Sequence, residues 1–336
     1  WTELRARVCE EHQREALPSR VYELSKSCLA RRQADLDALL DVLTETAPGT
    51  VENAVTAAFN LPRVATCADA ESLLAATPPP ANPSAAREAE ALRAELSRVE
   101  ALEGAGRYDD GLALLETLAP RVNELAYAPL SVAHLLGRGT MLLWIGRFEE
   151  AERVLADAYL AAIRAHEDAL AGEALAQRIF VVGRLGRSQQ ALAWYPEAAA
   201  WAGDDDRELR ALILNNTATI EADVGHLARG SAMVRESSAL WTEIHGETHP
   251  QAIFSFANLA EFLARQGRCD EALDILDTAL ARLEQTFGSE HYAIELNRSN
   301  RCEYLACAGD LSAAVECFDG PIRELLSGGG TTRYWL

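Results

Sequence analysis

Two histidines, His245 and His249, have the spacing of a metal-binding pair. Four residues apart on a continuous helix, both imidazoles would lie on one face, as a zinc site requires. Gly246 lies between them and Pro250 follows, which predicts a turn instead of a helix. His291 repeats His249 at a distance of 42 residues and indicates a structural repeat. We therefore predict no metal site.

Acidic and nucleophilic side chains show no catalytic signature. Asp204, Asp205 and Asp206 lack the glycine and the terminal glutamate of a calcium loop. No nucleophile elbow occurs, and the Gly-rich loop, Val-Ala-Ile-Lys, His-Arg-Asp and Asp-Phe-Gly motifs of protein kinases are absent. The sequence predicts a chain that is not an enzyme and holds no cofactor.

Charge and hydropathy argue against two classes of partner, nucleic acid and the membrane interior. Acidic residues number 51 against 31 basic ones, and the resulting net charge of −20 opposes binding to nucleic acid. The most apolar stretch, Tyr127 to Gly146, contains His134 and Arg138, so we predict no membrane insertion. With 49% hydrophobic residues, the chain can bury a large core.

The seven cysteines allow two interpretations. Cys9 and Cys28 lie on consecutive predicted helices and Cys67 follows the third, so a disulfide among these three is possible. Cys302 and Cys317 lie on two helices of the last repeat and could also bond. Disulfides would favour an extracytoplasmic location. Alternatively, the cysteines are small buried apolar residues.

The helices that carry these histidines and cysteines are predicted from a glycine that recurs along the chain. Six times, a glycine is followed five residues later by alanine or glycine, and successive turn glycines are 39 to 42 residues apart. This period is typical of stacked helical hairpins, in which glycine ends one helix and a small residue lets the next pack closely. The pairs are Gly106 and Gly111, Gly146 and Ala151, Gly186 and Ala191, Gly225 and Gly230, Gly267 and Ala272, and Gly309 and Ala314.

The predicted fold class is all-α, because no stretch alternates with the period of a strand. Ser84 is the predicted N-cap of the first repeat helix. The predicted regions are an N-terminal segment of about three helices (1–76), a proline-rich linker (77–84), about six repeats (85–326) and a glycine-rich tail (327–336).

The segment Gly267 to Leu273, with Ala279 after it, resembles the core of the tetratricopeptide repeat, and Gly146 to Ala151 fits as well. Gly246 to Pro250 and Asn258 to Ala260 are similar to the 42-residue repeats of kinesin light chains. The resemblance implies an α-solenoid, a right-handed superhelix whose first helices line a concave groove. Repeats three and four depart from the pattern at Ser188, Leu227 and Gly230.

The N-terminal flank carries a second resemblance. Cys9, the run Cys28 to Arg32 and the run Cys67 to Ala70 resemble the region between kinase and repeats in bacterial, notably myxobacterial, serine/threonine protein kinases. This implies a sensor or scaffold region of a membrane-anchored kinase, and favours an extracytoplasmic over a cytoplasmic location. The competing interpretation is a cytoplasmic signalling or transcription regulator that binds a small ligand.

One carboxamide recurs in the last three repeats, as Asn216, Asn258 and Asn300. In the tetratricopeptide arrangement these residues line the groove, where they suit the main chain of an extended peptide. In the other interpretation they bond to neighbouring helices. The neighbouring groove residues, which favour a peptide with basic residues, are Phe254, Glu261, Leu296 and Glu303. The partner is therefore predicted to be a peptide or protein segment, and the oligomeric state stays open.

Overall fold

A computed structural model describes residues 1–45, 50–203, 206–289 and 291–326. Within these ranges the chain is helical and contains no strand, as predicted. Asp204, Asp205 and the predicted tail 327–336 lie outside the described residues. The chain divides into two compact units, unit 1 (Trp1–Leu170) and unit 2 (Ala171–Leu336).

The N-terminal segment contains three helices and two short additional ones, a 3₁₀ helix and α4. The helices are α1 (Thr2–Gln13), α2 (Ser19–Thr44), α3 (Thr50–Phe59), η1 (Val64–Ala68) and α4 (Ala70–Ala75). Both α2 and α3 pack against the first repeat helix, so they belong to unit 1 together with the first hairpins.

The remaining helices form hairpins, each with a first and a second helix. They are α5 (Pro83–Gly104), α6 (Tyr108–Leu125), α7 (Ala128–Trp144), α8 (Phe148–Ala165), α9 (Asp168–Arg184), α10 (Ser188–Ala193), α11 (Tyr195–Ala202), α12 (Arg207–Asp223), α13 (Leu227–His245), α14 (Pro250–Arg265), α15 (Cys269–Phe287), α16 (Tyr292–Cys307) and α17 (Leu311–Leu326). In unit 2, each helix from α12 to α17 packs against the next.

Helix α5 begins two residues earlier than predicted. Asn82 is its N-cap and accepts hydrogen bonds from the backbone amides of Ser84 (2.8 Å) and Ala85 (3.4 Å). Ser84 is therefore not the cap. The reason is Pro83, whose fixed φ and missing amide hydrogen suit the first helical position.

The turn glycines end the first helices as predicted. Gly146 has φ +79°, in the left-handed region that side chains other than glycine rarely adopt. The next amide, that of Arg147, donates to the carbonyl oxygen of Leu142 over 2.9 Å, which satisfies a carbonyl at the helix end. The other five turn glycines also have positive φ.

An apolar seam of repeat five forms part of the core of unit 2. Leu259, Leu263, Ala272 and Leu276 are buried and pack with Phe262 of the same repeat. They join α14 and α15 to their neighbours, because the same cluster includes residues of α12, α13 and α16. A hairpin thus completes its core only by stacking on adjacent hairpins.

Repeat three departs from this regularity, where its second helix is divided into α10 and α11. The division lies at Trp194, and Pro196 occupies the first turn of α11. Proline has no amide hydrogen to donate to the preceding turn, which explains the break. A cleft of about 300 Å³ opens between α11 and α12, lined by Tyr195, Ala199, Gly203, Arg210, Ile213 and Leu214.

Candidate functional site

The first helices of unit 2 carry the predicted asparagine row, Asn216 on α12, Asn258 on α14 and Asn300 on α16. All three side chains are half-buried. Asn216 Nδ2 donates to the carbonyl oxygen of Ala176 on α9 over 3.1 Å. Asn258 Nδ2 lies 3.4 Å from Oδ1 of Asn215 on α12. Two members of the row therefore contact the preceding first helix.

Asn300 differs from the other two, since it makes no side-chain hydrogen bond to another described residue. Leu296 and Glu303 lie one turn on either side of it, at the i−4 and i+3 positions of the same helix face. Leu296 is 39% exposed and Glu303 is exposed. This part of α16 thus presents an apolar, a carboxamide and an acidic side chain together.

Helix α14 presents the corresponding trio. Phe254 is half-buried and stacks on Phe287 with ring centroids 5.9 Å apart. Glu261 lies 3.6 Å from Arg265, and 57% of its side-chain surface is exposed. All seven predicted groove residues therefore lie on α12, α14 and α16 of unit 2.

Glu261 on this face is less readily ionised than an ordinary glutamate. Partial loss of water around Glu261 raises the pKa of its carboxyl group, and the charges of Asp223 and Glu303 act in the same direction. Arg265 opposes the shift. Three carboxyl groups and one guanidinium make this face acidic, which favours a positively charged ligand.

Arg265 makes a contact between helices that was not predicted from the sequence. Its Nη2 donates to the carbonyl oxygen of Ala222, across the same helix pair that Asn258 spans. No residue pattern could reveal this bond, because its acceptor is a main-chain oxygen that any residue would supply. Together, Arg265 and Asn258 fix α14 beside α12.

The two histidines belong to a turn, as predicted. His245 ends α13 and His249 is the N-cap of α14, where its Nδ1 accepts from the amide of Gln251 over 3.2 Å. The two rings stack with centroids 4.3 Å apart, and His245 Nε2 lies 3.1 Å from Glu208 Oε1. The described residues contain no cluster of three or more metal-binding side chains.

Six cysteines lie in disulfide pairs, and Cys9 is free. Two pairs join predicted candidates, Cys28 with Cys67 (Cα atoms 5.5 Å apart) and Cys302 with Cys317 (5.4 Å). The third pair, Cys269 and Cys307 (5.7 Å), was not predicted. It joins the start of α15 to the end of α16.

The turn glycines could have revealed that third pair. Cys269 lies two residues after Gly267, and Cys307 two residues before Gly309. Tyr108 and Trp144 hold the same two places in the first and second repeats, and their rings stack with centroids 5.9 Å apart. The residue that starts a second helix thus contacts the residue that ends the next first helix.

These hairpins define a tetratricopeptide-like α-solenoid, and comparison with known proteins supports that class. Residues 253–319 match the family model described as tetratricopeptide repeat. None of the curated proteins matches the sequence. The chain therefore contains a tetratricopeptide repeat region, in agreement with the fold class predicted above.

Solved structures of similar fold are distant in sequence. BtubC (BKLC) from P. vanneervenii has a TM-score of 0.52 at 18% identity, over 74% of this chain and 94% of that one. Kinesin light chain TPR-like repeats from Podosopora anserina have a TM-score of 0.51 at 15% identity, over 60% and 98%. A Rap protein complexed with Competence and Sporulation Factor has a TM-score of 0.57 at 12% identity, over 91% and 89%.

No helix among the described residues is both long and apolar enough to span a bilayer.

Proposed function

We propose that this chain is a non-catalytic interaction region whose first helices in unit 2 bind a peptide or protein segment. The observation that carries the proposal is the trio on α16, where the half-buried Asn300 lies between the exposed Leu296 and Glu303. A carboxamide can both donate to and accept from a peptide main chain, and an adjacent apolar side chain can contact a peptide side chain.

The fold comparison supports the same proposal. The Rap protein was crystallised with Competence and Sporulation Factor bound, and its fold extends over 91% of this chain. A helical fold of this type can therefore bind a partner molecule. In this chain, Asp223, Glu261 and Glu303 make the face acidic, so we propose a ligand with basic residues.

A second part of the proposal concerns the protein to which this region belongs. Resemblance of the flank, at Cys9, Cys28 to Arg32 and Cys67 to Ala70, supports a sensor or scaffold region of a bacterial serine/threonine kinase. Three cysteine pairs support an extracytoplasmic location. Sequencing the gene upstream of the Trp1 codon tests this directly, since a kinase followed by a membrane span would agree with it and a nucleotide-binding ATPase module would contradict it.

Peptide display on the purified protein tests the binding proposal. We expect the enriched peptides to carry basic residues, and the Kd of one such peptide can be measured by fluorescence anisotropy. Each lost hydrogen bond costs about 1 kcal/mol, so Asn258→Ala and Asn300→Ala should each raise Kd about fivefold. The matched control is Asn123→Ala, an exposed asparagine on α6.

Unchanged affinity in both variants would remove the asparagine row from the binding site. Circular dichroism must show the same helix content in all variants, so that weaker binding is not explained by unfolding. If α16 carries the contact, Leu296→Ala should weaken the peptide as well, because its exposed side chain adjoins Asn300.

A second candidate, binding of a small ligand, is favoured by the cleft of about 300 Å³ between α11 and α12. Its lining is mixed, with apolar side chains such as Ile213 and Leu214 beside the Tyr195 hydroxyl and the Arg210 guanidinium. Ala199→Trp would fill the cleft and should abolish binding of a small ligand while leaving the peptide affinity of α16 unchanged.

A further inference from the structure

In unit 1, a buried hydrogen bond sets the register between α2 and α5. Ser97 Oγ on α5 donates to Asp35 Oδ1 on α2 over 2.6 Å. One turn before each of these residues, an arginine occurs on the same helix face, Arg31 on α2 and Arg93 on α5. Ser97 Oγ also lies 3.2 Å from the Arg93 carbonyl oxygen, but its single hydrogen is donated to Asp35. Ten residues after Asp35 and Ser97, Glu45 pairs with Arg107, so α2 and α5 run in the same direction and the two arginines lie at the same level of the helix pair.

Arg31 has no carboxylate partner among the described residues. Its Nε donates to the Ser27 carbonyl oxygen and its Nη2 to the Ser27 hydroxyl, both over 3.3 Å. The neighbouring arginines are paired, Arg93 with Glu90 at 2.6 Å and Arg32 with Asp35 at 2.8 Å.

Three guanidinium groups therefore face two carboxylates. Burial lowers the pKa of Arg31, and the charges of Arg93 and Arg32 lower it further, while Glu90 and Tyr127 oppose the shift. In addition, Arg32 Nε is buried and has no hydrogen-bond acceptor. A chain with a net charge of −20 thus holds a local excess of positive charge.

We propose that Arg31 and Arg93 form an anion-binding site for a carboxylate or phosphate group of a ligand. A guanidinium presents two parallel N–H donors that match either group. A bound anion would supply the missing counter-charge to Arg31 and offset its repulsion with Arg93. The site lies in unit 1, so it does not depend on binding by the asparagine row of unit 2.

Inorganic phosphate is the first probe. Thermal unfolding of the full chain is followed in increasing potassium phosphate, against potassium chloride at the same ionic strength. Ligand that binds only the folded state raises the melting temperature. We expect phosphate to stabilise the wild-type chain, and Arg31→Met to weaken the apparent affinity at least about tenfold, since a charge-assisted hydrogen bond contributes about 1.5–3 kcal/mol.

Arg87→Met is the matched control, because Arg87 is exposed on α5. It should leave the phosphate effect unchanged. Arg93→Gln provides a second variant of the site and should weaken phosphate as Arg31→Met does. Without phosphate, Arg31→Met should unfold at the same or a higher temperature than wild type, because it removes one of the repelling charges.

Two short peptides then distinguish the source of the anion, acetyl-Gly-Glu-Gly-amide and its phosphoserine counterpart. Stabilisation by either one, lost in Arg31→Met, supports the site and names the group that it binds. Equal stabilisation of wild type and Arg31→Met by phosphate would overturn the proposal. Absence of any phosphate or peptide effect on the wild-type chain would overturn it as well.

Discussion

Asn216 donates its Nδ2 hydrogen to the carbonyl oxygen of Ala176, 3.1 Å away, and thereby joins α12 to α9. The equivalent Asn258 makes a longer contact of 3.4 Å to Asn215 Oδ1. Asn300 makes no such contact within the described residues. The asparagine row therefore changes along unit 2, from a helix-to-helix hydrogen bond at Asn216 to a side chain at Asn300 that makes none to another described residue.

This gradient predicts different stabilities for two equivalent substitutions. Asn216→Ala should lower the free energy of unfolding by about 1 kcal/mol, because it removes one hydrogen bond and leaves the Ala176 carbonyl without that donor. Asn300→Ala should change it by less than about 0.5 kcal/mol. Urea unfolding followed by circular dichroism measures both. Equal losses would contradict the difference between the two positions.

Gly230 occupies the small-residue position of repeat four, where a larger side chain is expected to clash with its neighbours. A Cβ atom at Gly230 would lie 2.5 Å from Cε1 of Phe262 and 2.9 Å from the carbonyl oxygen of Ala218. The backbone oxygen cannot move away as a flexible side chain can. Gly230→Ala should therefore lower the free energy of unfolding by about 1–3 kcal/mol, measured by urea unfolding.

Gly137, inside α7, is the matched control. A Cβ atom there would be 3.8 Å from its nearest neighbours, Leu115 and Val99, which is ordinary contact. Gly137→Ala should raise the free energy of unfolding by up to about 1 kcal/mol, through the higher helix propensity of alanine. If both glycine substitutions stabilise the chain, close packing at Gly230 is not what selects glycine there.

The sequence predicted the helices well, because their ends depend on local chemistry. Gly146 and its equivalents end helices through a positive φ, and the Gly246 to Pro250 segment forms the turn expected of it. The predicted N-cap of α5, Ser84, was wrong because two side chains compete there, and both asparagine and serine are good caps. Pro83 decided in favour of Asn82.

The side-chain contacts were less predictable, because they depend on how hairpins are stacked. The asparagine row was found from its repeat spacing, yet the partner of Asn216 is a main-chain oxygen and leaves no trace in the sequence. Pairing of Cys269 with Cys307 needed the register of adjacent hairpins. Similarly, Arg31 and Arg93 are 62 residues apart in sequence, and each lies one turn before a member of the Ser97–Asp35 hydrogen bond that joins α2 to α5.

A buried histidine predicts loss of stability at low pH. His134 on α7 is only 7% exposed, and its Nε2 lies 2.8 Å from the Leu115 carbonyl oxygen of α6. Burial lowers the pKa of His134 below the ordinary 6.5, although the hydrogen bond opposes this. The unfolded state therefore takes up a proton first. Below about pH 6.5, the folded state should lose stability, by at most about 1.4 kcal/mol at pH 5.5.

His134→Gln is the control for this effect, since glutamine can donate to Leu115 and does not titrate. The free energy of unfolding, measured between pH 7.5 and 5.5, should fall more steeply in the wild-type chain than in the variant. Parallel curves would show that other groups cause the pH dependence.

Cysteine pairing predicts the number of thiols. With Cys28, Cys67, Cys269, Cys302, Cys307 and Cys317 in disulfides, the unfolded and unreduced chain should react with a thiol reagent once, at Cys9. Cys9→Ser should then show no reactive thiol. Mass spectrometry of unreduced peptides should recover Cys28 linked to Cys67, and not to Cys9, although all three were candidates.

Reduction of a disulfide should lower the free energy of unfolding most where that disulfide closes the longest loop. Cys28 and Cys67 are separated by 39 residues, so the chain-entropy estimate gives about 4 kcal/mol for this disulfide. For Cys302 and Cys317, 15 residues apart, it gives about 3 kcal/mol. Cys28→Ser with Cys67→Ser should thus destabilise the chain more than the Cys302 and Cys317 double variant. Seven reactive thiols in the unfolded, unreduced protein, with stability unaffected by reductant, would contradict both the pairing and the proposed extracytoplasmic location.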